Sequence, residues 1–291
     1  MRPDLTDAES GEVVLATAVQ VATDTLGNRL MAAYALGSLA HGGFSPKVSD
    51  VDLGLILRDP LKASDDSTVN HIATTARGGG SALHERLSLF WGTPSTLGGR
   101  VPGGRFPALD RLDLIEHGRL LAGAEHRGVV ARPSQRELLI AGAEFALDFL
   151  AGGLTPGRPA TRGLGSMTPA DESVLGQIRT PRLLLAQGPR QVTKIVLFPV
   201  RFLYTAATGN VGTMAIAVEF YCAQPRVPAR ALVQAAHRWR LAPIVDGEAA
   251  ALLGRGLVPL YRYYIDDHIP RLLAAGRPEL AKGFAAWRGR I

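Results

Sequence analysis

The spacing of apolar residues changes near residue 130 of the chain. Before that point, short apolar or alternating runs predict three buried strands, at 31–36, 51–57 and 87–91. Apolar residues at helical spacing predict helices over 9–30 and 65–77. After that point only helical spacing recurs, over 134–151, 190–208, 213–223, 228–239, 245–265 and 270–288. The pattern therefore predicts strands with helices in the first part of the chain and helices alone in the second.

Such an arrangement indicates an α+β fold with a short mixed sheet, followed by an all-helical domain. We place the two domains at 1–130 and 131–291. Ser134, followed three residues later by Glu137, has the capping-box pattern that marks the start of a helix. Gly/Pro-rich composition predicts loops at 92–107 and 152–170.

The composition narrows the class of protein. With 46% hydrophobic and 20% charged residues over 291 positions, the chain is expected to be globular rather than disordered. The single cysteine, Cys222, excludes an internal disulfide framework. No apolar run approaches the roughly 18 residues of a membrane span, and the polar first residues do not form a secretory signal. We therefore expect a cytoplasmic protein that does not act at a membrane.

The net charge of +6 comes almost entirely from arginine, because only four of the 32 basic residues are lysines. Arginine binds phosphate in a bidentate geometry, which suits a nucleotide partner. The same arginines could equally be spread over a solvated surface, since no dense basic run occurs. A nucleic-acid partner is therefore not expected from the charge alone.

Two carboxylates begin the predicted strand 51–57. Asp50 and Asp52 are two residues apart, so their side chains project from the same face of the strand. Carboxylates held together in this way repel each other unless a cation lies between them. Magnesium prefers hard oxygen ligands, usually one or two carboxylates together with the phosphates of a substrate. Asp50 and Asp52 are therefore candidate metal ligands.

A glycine-rich turn precedes these carboxylates. Gly37-Ser38 ends the strand 31–36, where a glycine lets the backbone approach a phosphate closely and Ser38 can donate a hydrogen bond to it. Lys47 adds a cation between the turn and Asp50. A phosphate-binding turn beside a metal site is the arrangement that phosphoryl transfer requires.

The stretch from Gly37-Ser38 to Asp50-Val51-Asp52 resembles the Gly-Ser…Asp-x-Asp motif of the polymerase β-like nucleotidyltransferases. Its sequence, with His41-Gly42-Gly43 between the two halves of the motif, is most similar to that of the aminoglycoside adenylyltransferases. Two later segments extend the resemblance. The segment 113–123 is similar to that family's helix-turn segment before its second domain, and 201–209, with the pattern Arg-x-x-Tyr-Thr-x-x-Thr-Gly, is similar to its streptomycin/spectinomycin branch.

The resemblance implies ATP as donor, Mg²⁺ on Asp50 and Asp52, and transfer of AMP to a hydroxyl of a small molecule with release of pyrophosphate. It also implies that the helical domain clamps the substrate and nucleotide. Lys194 and Arg201, seven residues apart on one helical face, could reach the triphosphate or could be two solvated charges. On the acceptor side, Glu219 is the one acidic residue that remains at the aligned positions.

The third carboxylate of this family's site is not evident. The expected position on the strand 87–91 holds Ser88, which neither binds Mg²⁺ strongly nor accepts a proton near neutral pH. Glu85 is the substitute we name as the catalytic base. Strand alternation favours Ser88 as the residue that faces the metal, unless the strand starts late or contains a bulge. Asp110 and Asp113 are alternatives that are expected to be surface charges.

Two other functions stay open at the level of sequence. A nucleotide-binding relative with weak or no catalysis would explain the missing carboxylate. A nucleotidyltransferase that modifies protein or RNA would require a broad basic groove in place of a closed pocket.

Overall fold

The computed structural model describes residues 7–152 and 173–291. The loop predicted at 152–170 lies almost entirely outside these residues. The described chain forms two compact units, Met1–Pro133 and Ser134–Ile291. The two units are called unit 1 and unit 2 below.

Unit 1 combines a small sheet with short and medium helices. In chain order its elements are α1 (Asp7–Leu26), β1 (Leu30–Leu36), α2 (Gly37–His41), β2 (Val51–Leu57), α3 (Asp65–Arg77), α4 (Ala82–Glu85), β3 (Leu87–Gly92), α5 (Pro94–Leu97), α6 (Ala108–His117) and β4 (Arg119–Gly123). The predicted strands at 31–36, 51–57 and 87–91 are therefore confirmed, as are the helices predicted near 9–30 and 65–77.

The four strands form one mixed sheet in the order β3-β2-β1-β4. β1 runs antiparallel to both β2 and β4, whereas β2 and β3 are parallel. The mixed sheet in an α+β unit confirms the predicted fold class.

Both faces of the sheet are covered by apolar side chains. On one face, Ala33, Leu53 and Leu89 belong to a core that includes α1 and α3. On the other face, Tyr34 and Ile56 pack with residues of α5 and α6. Asp52 and Ser88 have the parity of the second face, so the polar positions of β2 and β3 lie on the side of the sheet that carries α6.

An ion pair connects the segment before β1 to the start of α3. Arg29 donates to both oxygens of Asp65, at 3.0 and 2.5 Å, and both side chains are largely buried. Burial opposes ionisation of Asp65. The hydrogen bonds from Arg29 and from the Lys62 amide outweigh it, so the net effect lowers the pKa of that carboxyl. The pair therefore contributes stability while Asp65 is ionised.

The segment 113–123 differs from its sequence-based interpretation as a helix and turn. Helix α6 ends at His117, and residues 119–123 form the edge strand β4. The strand pairs only with β1, and its apolar residues are exposed or half-buried. Because neither face is fully buried, its residues show no core–solvent alternation from which a strand could be predicted.

In unit 2 the described residues of regular structure are all helical. The helices are α7 (Gln135–Phe149), α8 (Ser173–Arg179), α9 (Pro181–Ala186), α10 (Pro189–Thr208), α11 (Met214–Ala223), α12 (Arg230–Arg238), α13 (Asp246–Ala274) and α14 (Pro278–Gly289). The predicted capping box of α7 is present, with the Ser134 amide donating to Glu137 at 2.9 Å and the Glu137 amide donating to Ser134 at 3.2 Å.

The boundary between the last two helices was predicted too early. Helix α13 continues through Pro270, because buried residues such as His268 and Leu272 keep its inner face packed beyond the proline. The chain breaks instead at Gly276, which adopts a left-handed φ of 70°, and Pro278 begins α14. Helices α8 and α9 were not predicted, since each is short and Pro181 separates them.

The tyrosines of α13 mostly pack in the core of unit 2. Tyr261 and Tyr264 are fully buried, and the Tyr261 hydroxyl donates to the Ile195 carbonyl at 2.8 Å. Tyr263 is partly exposed. Among the described helices of both units, none has the length and apolar character needed to cross a membrane.

Candidate functional site

The strand register brings the glycine-serine turn against Asp52. Leu36, the last residue of β1, pairs with Asp52 of β2, and helix α2 begins at the next residue. Gly37 has a left-handed φ of 60°, and a Cβ built on it would collide with Oδ2 of Asp52. A residue without a side chain is therefore required at position 37, both for the turn and for the carboxylate beside it.

A compact loop delivers Asp50 to the start of β2. The Ser49 amide donates to the Ser45 carbonyl at 2.8 Å, and the Ser45 amide donates to Oγ of Ser49 at 3.0 Å. Arg86 donates through Nη1 to the carbonyls of Pro46 at 2.7 Å and Ser49 at 3.3 Å. Arg86 thus fixes the backbone immediately before Asp50, a positioning role that the sequence did not reveal.

The position beside Asp52 on the neighbouring strand is occupied by Ser88. In the parallel pair of β2 and β3, Asp52 and Ser88 are direct register partners, and both residues are half-buried. Glu85 lies before the strand, as the last residue of α4, and is exposed. β3 begins at Leu87 and its pairing with β2 is continuous. The structure thus brings Ser88 to Asp52, while Glu85 stays a sequence-based candidate outside the strand.

A buried acid from α6 reaches the same turn. Oδ2 of Asp113 accepts a hydrogen bond from the Gly37 amide at 2.6 Å, and the residue is only 5% exposed. The expectation that Asp113 is a surface charge is therefore wrong. The helix turns this residue toward α2 and β1, together with its buried neighbours Leu112 and Leu114. The sequence did contain a signal of this burial, since Asp113 lies between two leucines.

The donor set of Asp50 and Asp52 fits a magnesium ion. Asp52 belongs to β2 and Asp50 directly precedes that strand; both are half-buried, and substrate phosphates commonly complete a site of two carboxylates. In the part of the chain that the structure describes, no three His, Cys, Asp or Glu side chains are grouped closely enough to hold a metal by themselves.

The remaining predicted site residues are distributed over both units. Lys47 is exposed in the loop before Asp50, in unit 1. Lys194 and Arg201 lie on α10 of unit 2, where the Lys194 ammonium is 5.8 Å from the centre of the Phe198 ring. Glu219 is exposed on α11.

Arg201 lies close to a second arginine of unit 2. Burial, and then the charge of Arg201, lower the pKa of the Arg240 guanidinium.

Comparisons with known proteins give a structural match. No protein-family model matches the chain. No curated protein matches it by sequence either. A solved structure, spectinomycin adenyltransferase AAD(9) from Enterococcus faecialis with ATP and spectinomycin, is similar to it with a TM-score of 0.54 and 14% sequence identity. The match covers 84% of this chain and 98% of that chain. The chain therefore has the fold of the aminoglycoside adenylyltransferase-like nucleotidyltransferases.

Proposed function

We propose that this protein is a magnesium-dependent nucleotidyltransferase that moves AMP from ATP to a hydroxyl group of a small molecule. The observation that carries the proposal is the position of Gly37. This residue closes β1 in a left-handed conformation and has space for the Asp52 carboxylate where a side chain would otherwise be. A turn suited to phosphate and a carboxylate suited to a cation are thereby placed side by side.

The residues of unit 1 supply binding and orientation. Ser38, half-buried at the start of α2, is positioned to donate a hydrogen bond to a phosphate oxygen. Asp50 and Asp52 would hold the cation, and Arg86 fixes the loop that precedes Asp50. When bound, Mg²⁺ would offset the negative charge that develops on the phosphates during transfer.

The transfer itself exchanges one phosphorus–oxygen bond for another. A bond forms between the acceptor oxygen and the α-phosphorus, and the bond to the bridging oxygen breaks so that pyrophosphate leaves with the electron pair. The acceptor hydroxyl also loses a proton. Ser88 is not basic enough to take this proton near neutral pH. Glu85 is the residue that we name as the base.

The helical unit holds the other candidate contacts. Within unit 2, Lys194 and Arg201 of α10 are candidate contacts to phosphate, and Glu219 of α11 is the candidate contact to an acceptor. The similar adenyltransferase was solved with ATP and spectinomycin, which supports ATP as donor and a small hydroxylated molecule as acceptor. The net charge of +6 disfavours a strongly cationic acceptor.

The proposal is tested by nucleotide binding and by pyrophosphate release. The protein is incubated with Mg²⁺ and each of ATP, GTP, CTP and UTP, with spectinomycin as the first acceptor of a panel of small hydroxylated compounds. We expect pyrophosphate with ATP, and loss of magnesium-dependent ATP binding in Asp50→Asn and Asp52→Asn. The matched control is Asp24→Asn, an exposed acid of α1. Equal affinity for Mg²⁺–ATP in all three variants would refute the assignment.

One observation favours a second candidate function. Because Ser88 stands where the register would place a carboxylate beside Asp52, the protein could bind Mg²⁺–ATP without transferring AMP. ATP binding that depends on Asp50 and Asp52, with no pyrophosphate released for any acceptor of the panel, would support this nucleotide-binding function over transfer.

A further inference from the structure

Asp113 is a buried acid near the proposed transfer site. None of the roles proposed above involves it. One oxygen, Oδ2, accepts a hydrogen bond from the Gly37 amide at 2.6 Å. The other oxygen, Oδ1, is buried and accepts no hydrogen bond from the residues that the structure describes. A buried carboxylate is costly unless its charge is balanced nearby, so the surroundings of Oδ1 indicate what Asp113 does.

The side chain beside Oδ1 is His41, at the end of α2. Its Nε2 lies 3.9 Å from Oδ1 of Asp113, and both side chains are 7% exposed. Its other nitrogen, Nδ1, lies 3.1 Å from the Gly42 carbonyl oxygen. Neither Nε2 nor Oδ1 makes a hydrogen bond to another described residue, so the two side chains are neighbours in a buried polar contact. The His41 ring also packs edge-on against His117 of α6, with 5.4 Å between ring centres.

These contacts join α6 to both ends of α2. Asp113 reaches the first residue of α2 through the Gly37 amide and the last residue through His41. The start of α2 is also held by β1, since Leu36 pairs with Asp52 of β2. Leu36 makes no capping bond with its side chain, so Asp113 supplies the acceptor for the first amide of the helix.

We propose that Asp113, paired with His41, is a positioning residue that sets the Gly37–Ser38 turn at its working distance from Asp52. The inference rests on the proposed function, because it assigns an acid near the proposed site a role in positioning the turn. The acid comes from α6, it binds the protein backbone, and it does not replace the carboxylate absent at Ser88.

The experiment compares Asp113→Ala, which removes the acceptor, with Asp113→Asn, which keeps an acceptor oxygen but loses the charge. Asp66→Asn, an exposed acid on α3, is the matched control. Two quantities are measured for the full chain: amide hydrogen exchange of the peptide that contains Gly37, and the dissociation constant of Mg²⁺–ATP.

We expect faster exchange at the Gly37 peptide and weaker Mg²⁺–ATP binding in Asp113→Ala. The loss should be about tenfold to a hundredfold, as for one hydrogen bond to a charged group. Asp113→Asn should be intermediate in both measurements, and Asp66→Asn should match the wild type. If Asp113→Ala does not fold, Asp113→Asn still tests the inference, because the side chains of asparagine and aspartate have nearly the same volume.

Unchanged exchange at Gly37 in the folded variants would overturn the inference, and so would an unchanged dissociation constant in a wild type that binds Mg²⁺–ATP. If the wild type binds no nucleotide at all, the proposed function fails. Exchange at Gly37 then still decides whether Asp113 holds the turn.

Discussion

A third carboxylate introduced beside Asp52 would test the geometry of the site most directly. Asp52 and Ser88 are register partners on adjacent strands, and such strands lie about 4.8 Å apart. Ser88→Glu would therefore place a second negative charge roughly 5 Å from the first. At that separation the repulsion is about 0.8 kcal/mol in a water-like medium and about 3 kcal/mol at an effective dielectric constant of 20. Because both residues are half-buried, we expect a destabilisation between these limits.

Magnesium should reverse the effect. A cation between the carboxylates converts the repulsion into binding energy, so the variant should gain more from Mg²⁺ and ATP than the wild type does. The unfolding midpoint should fall by about 2–4 °C for each kcal/mol lost, and should recover when both ligands are added. If the missing base limits transfer, pyrophosphate release should also rise, by about a hundredfold for a well-placed base.

The measurement is thermal unfolding with and without Mg²⁺ and ATP, together with pyrophosphate release. Ser88→Ala controls for loss of the hydroxyl, and Ser67→Glu adds the same charge at an exposed position of α3. The reasoning would be refuted if Ser88→Glu lost no more stability than Ser67→Glu, or if Mg²⁺ and ATP stabilised both glutamate variants equally.

Three further changes have defined outcomes. Ser38→Ala should weaken Mg²⁺–ATP binding by about 1.5–3 kcal/mol in calorimetry, the value of one hydrogen bond to a charged group. Arg86→Ala should raise the KM for Mg²⁺–ATP, because the Ser49 carbonyl before the first aspartate loses its donor. Asp65→Asn should cost about 3–5 kcal/mol of stability at pH 7, because buried Arg29 loses its negatively charged partner. Since the folded pKa of Asp65 is lowered, that difference should begin to shrink in denaturant unfolding below about pH 4 and vanish only below the folded pKa, which lies lower.

Elements with a strong local pattern were determined by the sequence alone. The strand Val51–Leu57 was predicted at its exact bounds, since its apolar run is buried on both faces and ends at a proline. The turn at Gly37 was also predictable. Glycine there satisfies a backbone requirement that is local. The shared face of the two aspartates stays a prediction, because the strand begins after the first of them.

Only the tertiary structure determined which residues distant in sequence come into contact. Asp113 meets Gly37 across 76 positions. Its place between two leucines is a signal of burial, but nothing in its neighbours identifies the amide from which it accepts a hydrogen bond. The edge strand β4 exists because β1 offers it hydrogen bonds, and its own residues have no strand pattern. Local periodicity reports which face of an element is buried. It does not report which partner covers that face, and the partner is fixed only when all the elements pack together.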